Sequence, residues 1–583
     1  MMDRTTVETQ RACARETEKE EDMDNVTPAG FRDVLVDEAV ARERIAADVQ
    51  ACLATRGYAP IETPTLEVMD VLRAGGRVPG SPFKLFDARG DLLAMRPDVT
   101  LQVARMCATR LAGQPGPFRF RYMQRVFREA EAEMQAEARE MTQIGIECIG
   151  EQGAEADAEV VELLAEALAL AGVENFKLAL ATVSVLRALL EASGASASWR
   201  EQVLGAYHAS NFVELDRLTG SCASDAGVPP VFAAAIGSLP RIRGGRSAID
   251  EARELVAPLG CESGLDSFAR TFDLLAEAGL ADRLLVDFSV MSSFDYYTGI
   301  VFAAYSDALG TPIGSGGRYD NMIGSYGERR PAAGFAFFLE QAMAAASPVG
   351  NAGSAGPDAC RPLRIAVPKG SLNADTVAAL GAAGLDVTGL DSPGRQLIIK
   401  NPGVEYVIVR PTDAPTFVAL GAADCGICGK DSLLEATADV VELVDLGYGA
   451  CRFVVAEPAG AGETTAEHCR RLGSIRIATK YPRITASHYA KTGTQVEIVK
   501  LHGNIELAPL TGMAERIVDI TATGTTLREN DLTVVEEVLS STARFFSNAC
   551  AFRTDPRIVQ LVEALQREAD VPSGQCATGE EQE

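Results

Sequence analysis

The residues with the clearest chemical potential lie at 517–527, which read Ile-Val-Asp-Ile-Thr-Ala-Thr-Gly-Thr-Thr-Leu. An apolar strand carries Asp519 near its end, and a run of Thr and Gly follows at once. Backbone amides in such a loop can wrap a phosphate, because Gly524 permits close approach and the loop leads into a helix start. Thr523, Thr525 and Thr526 add hydroxyl donors. Asp519 stands where one carboxylate can accept from two ribose hydroxyls. On chemistry alone the segment is a 5′-phosphoribosyl pocket or a Thr-rich turn that only caps a helix, and it does not decide between the two. Cys425 and Cys428 form a lone C-x-x-C. It reads as a redox or metal pair, or as small buried residues in and beside an apolar strand, and the second reading is preferred. The four histidines, His208, His468, His488 and His502, have no ligand spacing, so no His-based zinc site is expected.

Elements must position these groups. The chain has 583 residues and a formal net charge of -27, too long for a single core. Residues 347–360 read SPVGNAGSAGPDAC, a flexible linker between two halves. We expect a polar, disordered tail at 1–25, a first domain at 26–345, a linker at 346–361, a second domain at 362–567 and a polar tail at 568–583. In the first half, a helix is expected over 36–56 and strands over 92–95, 119–127 and 141–149. A long helix follows at 154–171, then an almost wholly helical stretch over 183–278, then strands at 284–289 and 300–305. This is α+β, an antiparallel sheet carrying a helical insertion. In the second half, strands at 363–367, 406–410, 425–428, 475–479, 496–501 and 517–520 alternate with helices. That rhythm predicts a parallel or mixed α/β sheet in two small lobes with a cleft between them.

The bulk properties narrow the function classes. The first 25 residues have no apolar core of a secretory signal and are too acidic for a transit peptide. The apolar runs are too short and interrupted to span a bilayer. Thirteen scattered cysteines suit reduced thiols in a cytoplasm. The acidity argues against nucleic acid as a partner, whereas a few cations in a cleft can still hold an anionic small molecule.

From Leu363 to about Leu565 the chain resembles the short form of ATP phosphoribosyltransferase. The matching stretches are 363–370 (LRIAVPKG), 409–416 (VRPTDAPT), 421–431 (GAADCGICGKD), 478–482 (ATKYP), 503–509 (GNIELAP) and the Asp519 loop. The resemblance implies a two-lobed fold like that of periplasmic binding proteins. It also implies joining of ATP to phosphoribosyl pyrophosphate, the first step of histidine biosynthesis, with Mg²⁺ on the pyrophosphate. Asp519 is then expected to hold the ribose hydroxyls, and Thr521, Thr523, Gly524, Thr525 and Thr526 the 5′-phosphate. Lys369, Arg395 and Arg410 would face ATP phosphates and the departing pyrophosphate. Asp413 and Thr416 would line the ATP side, and Glu506 the substrate pocket. Two departures from the family pattern are Ser371, where Arg is usual, and Glu515, where Asp is usual.

The stretch from Thr27 to Ala345 resembles the class II core of histidyl-tRNA synthetase. The residues that carry this are 96–100 (RPDVT), 127–129 (FRE), 143–147 (QIGIE), 294–299 (FDYYTG) and 316–320 (GGRYD). Ser292 and Gln341 stand where that family places arginines that brace the adenylate chemistry, and the anticodon-binding domain is replaced by the linker and the second domain. The half therefore resembles a regulatory subunit of short-form ATP phosphoribosyltransferase, fused to its catalytic partner. Asp98 and Glu147 are expected to hold the amino group or the imidazole of histidine, with Thr100, Gln143, Tyr297 and Tyr319 beside them, and Arg128 its carboxylate. The expected assembly is a homo-oligomer. The competing readings are a bifunctional protein that still charges tRNA and a non-enzymatic solute-binding module.

Overall fold

A computed structural model describes residues 27–76, 81–129, 138–290, 296–346, 361–392, 394–521 and 524–569. The expected first tail, the second tail beyond Ala569 and nearly all of the expected linker lie outside these residues, as does Ser292; residues 568 and 569, expected in the tail, close helix Pro556–Ala569.

The first half is built on a nine-stranded sheet. In spatial order its strands are 59–60, 118–127, 140–149, 332–338, 314–318, 300–305, 177–182, 284–287 and 243–244. Neighbours are antiparallel except at two parallel pairs, 59–60 with 118–127 and 177–182 with 284–287. Strand Phe118–Phe127 alternates as a one-sided strand does: Tyr122, Gln124 and Val126 are buried while Met123 and Arg125 are exposed. Its neighbour Glu140–Ile149 is buried along most of its length. There Ile144, Ile146 and Cys148 share one face, and Gln143, Gly145 and Glu147 share the other. Helices Val36–Thr55 and Ala154–Leu170 cover the sheet. The stretch read as almost wholly helical is six α-helices and shorter turns, interrupted by the two-residue strand Arg243–Gly244. Not foreseen in this sheet were Ala59–Pro60, Lys177–Thr182, Arg243–Gly244, Gly314–Arg318 and Ala332–Phe338, nor were Leu66–Val68 and Lys84–Phe86, which flank Leu92–Met95 in a separate three-stranded sheet.

The second half holds two mixed sheets. One has the order 398–401, 404–409, 363–368, 425–429, 543–547, 441–445; the other has 496–500, 475–479, 516–521, 451–458, 532–541. The chain crosses between them twice, once between Asp445 and Cys451 and once between Ser541 and Ala543. Two chain segments therefore connect the two lobes. Helix Lys430–Ala436 of the first lobe is strapped to helix Pro482–Thr492 of the second. Arg483 N and Ile484 N each donate to the Glu435 carboxylate at 3.1 Å, and Arg483 Nη1 donates to the carbonyls of Glu435 and Ala436 at 3.0 Å.

The two halves share a packed junction. Glu442 N donates to Ser210 O at 3.1 Å, at the free edge of the first lobe's sheet. Arg243 Nη2 donates to Phe552 O at 2.9 Å. A side chain at Gly310 would meet Ala419 O at 2.3 Å, so this backbone-to-backbone approach needs glycine. At the centre, Arg553 Nε lies 3.3 Å from Asp287 Oδ2, with both side chains almost wholly buried. The guanidinium also stacks over Tyr305 at 4.8 Å and donates to Ser289 Oγ at 3.3 Å.

Candidate functional site

The two lobes of the second half present their chemistry at strand ends. In the first lobe, strands Leu363–Pro368 and Val404–Val409 run parallel with Pro368 opposite Val409. Lys369 N donates to Val409 O at 2.8 Å, so Lys369 and Arg410 leave the sheet side by side. Both are exposed. Asp413 N donates to Arg410 O at 3.0 Å, and Asp413 opens helix Ala414–Ala419, on which Thr416 is half-buried. The carboxyl ends of parallel strands are where open α/β sheets bind ligands. Arg395 sits apart, exposed on the turn before strand Ile398–Asn401.

In the second lobe, strand Arg516–Thr521 carries Asp519 between two neighbours, Ile475–Thr479 and Cys451–Pro458. Asp519 is 7% exposed, and Ile520 N donates to its Oδ1 at 2.8 Å. Burial lifts this carboxyl above its ordinary range; the Ile520 amide and Lys480 oppose that, and nearby Glu506 adds to it. Thr521 Oγ1 accepts from Gly524 N at 2.8 Å, which folds the loop back on itself. Gly524 has φ +71°, a left-handed conformation that suits glycine. Thr525 and Thr526 are exposed at the start of helix Thr525–Glu529, which Leu527 anchors. That helix is barely more than one turn, so the loop amides and hydroxyls, rather than a macrodipole, are what an anion would meet here. Thr523 lies outside the described residues. Sequence reasoning assigned no role to Lys480, whose Nζ lies 4.0 Å from Asp519 Oδ2.

The departures and the cysteines find structural places. Glu515 accepts from Arg476 N at 2.7 Å and from the Arg476 and His468 side chains. Partial burial alone would raise its carboxyl, but these donors bring it down to about 2. Ser371 is exposed in the turn after strand Leu363–Pro368. Cys425 and Cys428 are buried free thiols three positions apart on one strand, hence on opposite faces, and burial pushes both far above the usual thiol range.

In the first half, one cavity of about 350 Å³ gathers all seven predicted residues: Asp98, Thr100, Arg128, Gln143, Glu147, Tyr297 and Tyr319. Gln143 Nε2 donates to Asp98 Oδ2 at 3.1 Å, Val99 N donates to Gln143 Oε1 at 3.1 Å, and Thr100 N donates to Asp98 Oδ1 at 2.7 Å. Arg128 is held by Nε donating to Pro97 O at 3.1 Å and by stacking over Phe338. Glycines make the room. Gly334 faces Glu147 across the sheet, where a Cβ would fall 2.1 Å from its Oε2, and a Cβ on Gly317 would meet the Tyr297 ring at 2.7 Å. Glu147 accepts from the Tyr319 hydroxyl and, at 3.3 Å, from Tyr122 Oη. Burial pushes Glu147 up to about 8, despite those hydroxyls, and Asp98 adds to the rise.

Two further wall residues matter. The Gln341 amide nitrogen, oriented to satisfy its neighbours, donates to the carbonyls of Pro312 and Ile313 at 3.0 and 3.2 Å. These bonds tie it to the cavity wall. Asp439 comes from the second half and was not foreseen. Burial raises its carboxyl, and Arg553 opposes that. No local signal marks Asp439, because only the docking of the halves places it here.

Comparison with known proteins agrees with this division. The family model for histidyl-tRNA synthetase matches residues 30–342, and that for ATP phosphoribosyltransferase matches 410–567. The chain is 52% identical over 221 residues to the ATP phosphoribosyltransferase of Moorella thermoacetica, covering 37% of this chain and 97% of that one. It is 34% identical over 331 residues to the ATP phosphoribosyltransferase regulatory subunit of the same organism, covering 56% and 84%. A solved ATP phosphoribosyltransferase regulatory subunit/histidyl-tRNA synthetase from Bacillus halodurans C superposes with a TM-score of 0.51 at 26% identity, over 66% of this chain and 98% of that one. The chain thus belongs to the histidyl-tRNA synthetase family over its first half, in the regulatory-subunit branch, and to the ATP phosphoribosyltransferase family over its second, so that catalytic and regulatory parts of one enzyme share a single polypeptide.

Proposed function

We propose that residues 362–567 transfer the phosphoribosyl group to ATP and that residues 26–345 sense histidine and restrain them, with 346–361 as linker. N1 of adenine carries a lone pair and needs no deprotonation. It forms a bond to the anomeric carbon as the carbon–oxygen bond to pyrophosphate breaks, and the bonding electrons leave with pyrophosphate. Catalysis then rests on positioning and on neutralising the leaving group. Asp519 holds the ribose hydroxyls, and Thr521, Thr523, Gly524, Thr525 and Thr526 hold the 5′-phosphate. Lys369, Arg410 and Arg395 meet ATP phosphates and pyrophosphate, beside Asp413 and Thr416. Arg395 reaches them only when the lobes and its own exposed turn close on substrate, as in the hinged fold of periplasmic binding proteins. Mg²⁺ would supply charge neutralisation on the pyrophosphate. Glu506, whose charge is close enough to disfavour ionisation of Asp519, would offer it a carboxylate oxygen beside those of the substrate. The acidic chain works in a cytoplasm, without nucleic acid or membrane as partner, as a homo-oligomer; among the described residues no helix is long and apolar enough to cross a membrane.

The observation that carries the sensing role is the cavity around Glu147, with Asp439 of the other half in its wall. Buried carboxyls, tyrosines and one arginine suit a small zwitterion, since polar groups gathered in a cavity cost stability unless something satisfies them. Asp439 lies three residues past helix Lys430–Ala436, which holds Arg483 of the phosphoribosyl lobe. A ligand in the cavity can thereby favour one arrangement of the lobes, and coupling of this kind is reciprocal: phosphoribosyl pyrophosphate or ATP must weaken histidine binding.

Proton release tests the site. With its pKa at about 8, Glu147 keeps its proton in roughly nine of ten unliganded molecules at pH 7. A bound cationic group favours the ionised form, so histidine binding at pH 7 is expected to release close to one proton. The sign also means that affinity rises between pH 7 and pH 8. Calorimetric titration in two buffers of different ionisation enthalpy measures the release, and Glu147→Gln should abolish it. Histidine binding without proton exchange would remove Glu147 from the ligand, and no binding at all would remove the sensing role.

A further inference from the structure

Resting on the placement of the sugar phosphate at Asp519, we propose that Lys480 is a substrate-binding cation of the phosphoribosyl lobe, its ammonium group taking a phosphate oxygen of phosphoribosyl pyrophosphate. Strands Ile475–Thr479 and Arg516–Thr521 run parallel with Thr479 opposite Val518. Lys480 and Asp519 therefore leave the sheet at the same end and on adjacent strands, where parallel sheets hold ligands.

The charges of this lobe explain the need. Phosphoribosyl pyrophosphate is a polyanion, yet Asp519 is a carboxylate and Glu506 is near enough to act on its charge, while Arg528, on the helix after the loop, is engaged with Thr525 Oγ1 at 3.2 Å. Lys369, Arg395 and Arg410 all belong to the other lobe. Within this lobe, Arg452, Arg476 and Arg516 are paired with Glu537, Glu515 and Glu457 at 3.4, 2.6 and 2.8 Å. Lys480 differs: its contact with Asp519 is loose, at 4.0 Å, and its side chain is 38% exposed. An ammonium group has three donors, so it can keep Asp519 company and still meet an incoming phosphate. Asp519 would then turn to the ribose hydroxyls while Lys480 offsets the substrate's charge.

The test uses the full-length protein and direct binding of phosphoribosyl pyrophosphate with Mg²⁺, alongside binding of ATP. Lys480→Gln is expected to weaken phosphoribosyl pyrophosphate by about tenfold or more while ATP changes by less than about twofold, and Lys480→Arg is expected to restore most of the affinity. Pyrophosphate and ribose 5-phosphate as separate probes show which end of the substrate the ammonium meets; a loss confined to either one supports the proposal. Unchanged affinity for phosphoribosyl pyrophosphate in Lys480→Gln, or an equal loss for ATP, would overturn it. Asp519→Asn is the companion variant: if it too binds the substrate like wild type, the failure lies in placing the sugar at Asp519 rather than in Lys480.

Discussion

Asp519→Asn is expected to lower kcat/KM for phosphoribosyl pyrophosphate by about 30- to 900-fold, the equivalent of about 2–4 kcal/mol. The substitution keeps the shape of the side chain and the hydrogen bond from Ile520 N, so the loop should hold its form. What disappears is the negative charge that accepts from two hydroxyls of the sugar as it passes through its cation-like state. A charged acceptor is roughly twice as strong as a neutral one, and at a site only 7% exposed water does not make up the difference. Binding of ATP alone should stay within about twofold, because the proposed ATP contacts lie on the other lobe. Steady-state kinetics with each substrate varied in turn separates the two. A loss of less than about threefold would mean that the sugar sits elsewhere in the cleft.

Arg553→Met should be the most damaging single change at the junction between the halves, costing about 3–5 kcal/mol of stability. Asp287 would be left as a buried carboxylate with its cation gone, 3.3 Å from where Nε had been. Burial works against the charge of Arg553, and Tyr305 and Asp287 outweigh it. The paired variant Asp287→Leu with Arg553→Met should recover part of the loss, since neither member of the closest pair is then left as a buried charge, while Asp439 loses Arg553 and Arg243 loses Asp287 as a neighbouring opposite charge. Calorimetric unfolding of the single and double variants reads this as a strongly non-additive pair. Additive losses would show that the two charges do not compensate each other. Asp439 faces the same arginine from the cavity wall, so the single variant should also weaken inhibition by histidine.

How much of this could be read in advance depended on how local each signal was. Strands Leu92–Met95, Ile300–Tyr305 and Ile475–Thr479 were expected at their observed bounds, because each is a short apolar run between turn signals. Strand Gly314–Arg318 was missed because Gly-Ser-Gly-Gly reads as a loop. Its glycines are there to clear space for Phe302, on the strand that pairs with it, and for Tyr297 just before that strand. Leu532–Ser541 was missed for a related reason: Val534 and Val535 are exposed, and pairing with Cys451–Pro458 supplies its order. The seven cavity residues were legible through their motifs, but their convergence rests on strands far apart in sequence. Asp439 had no motif at all. Lys480 sat in a motif whose order was recognised, and its nearness to Asp519 followed only from the parallel pairing of two strands.

The most direct measurement is the rise in ultraviolet absorbance as product forms from ATP, phosphoribosyl pyrophosphate and Mg²⁺, followed with and without histidine. One polypeptide that holds both catalyst and sensor must form product alone and lose most of that activity at saturating histidine. Product formation at an undiminished rate with histidine demonstrably bound would contradict the coupling of the halves, and no product under any condition would contradict the transferase itself.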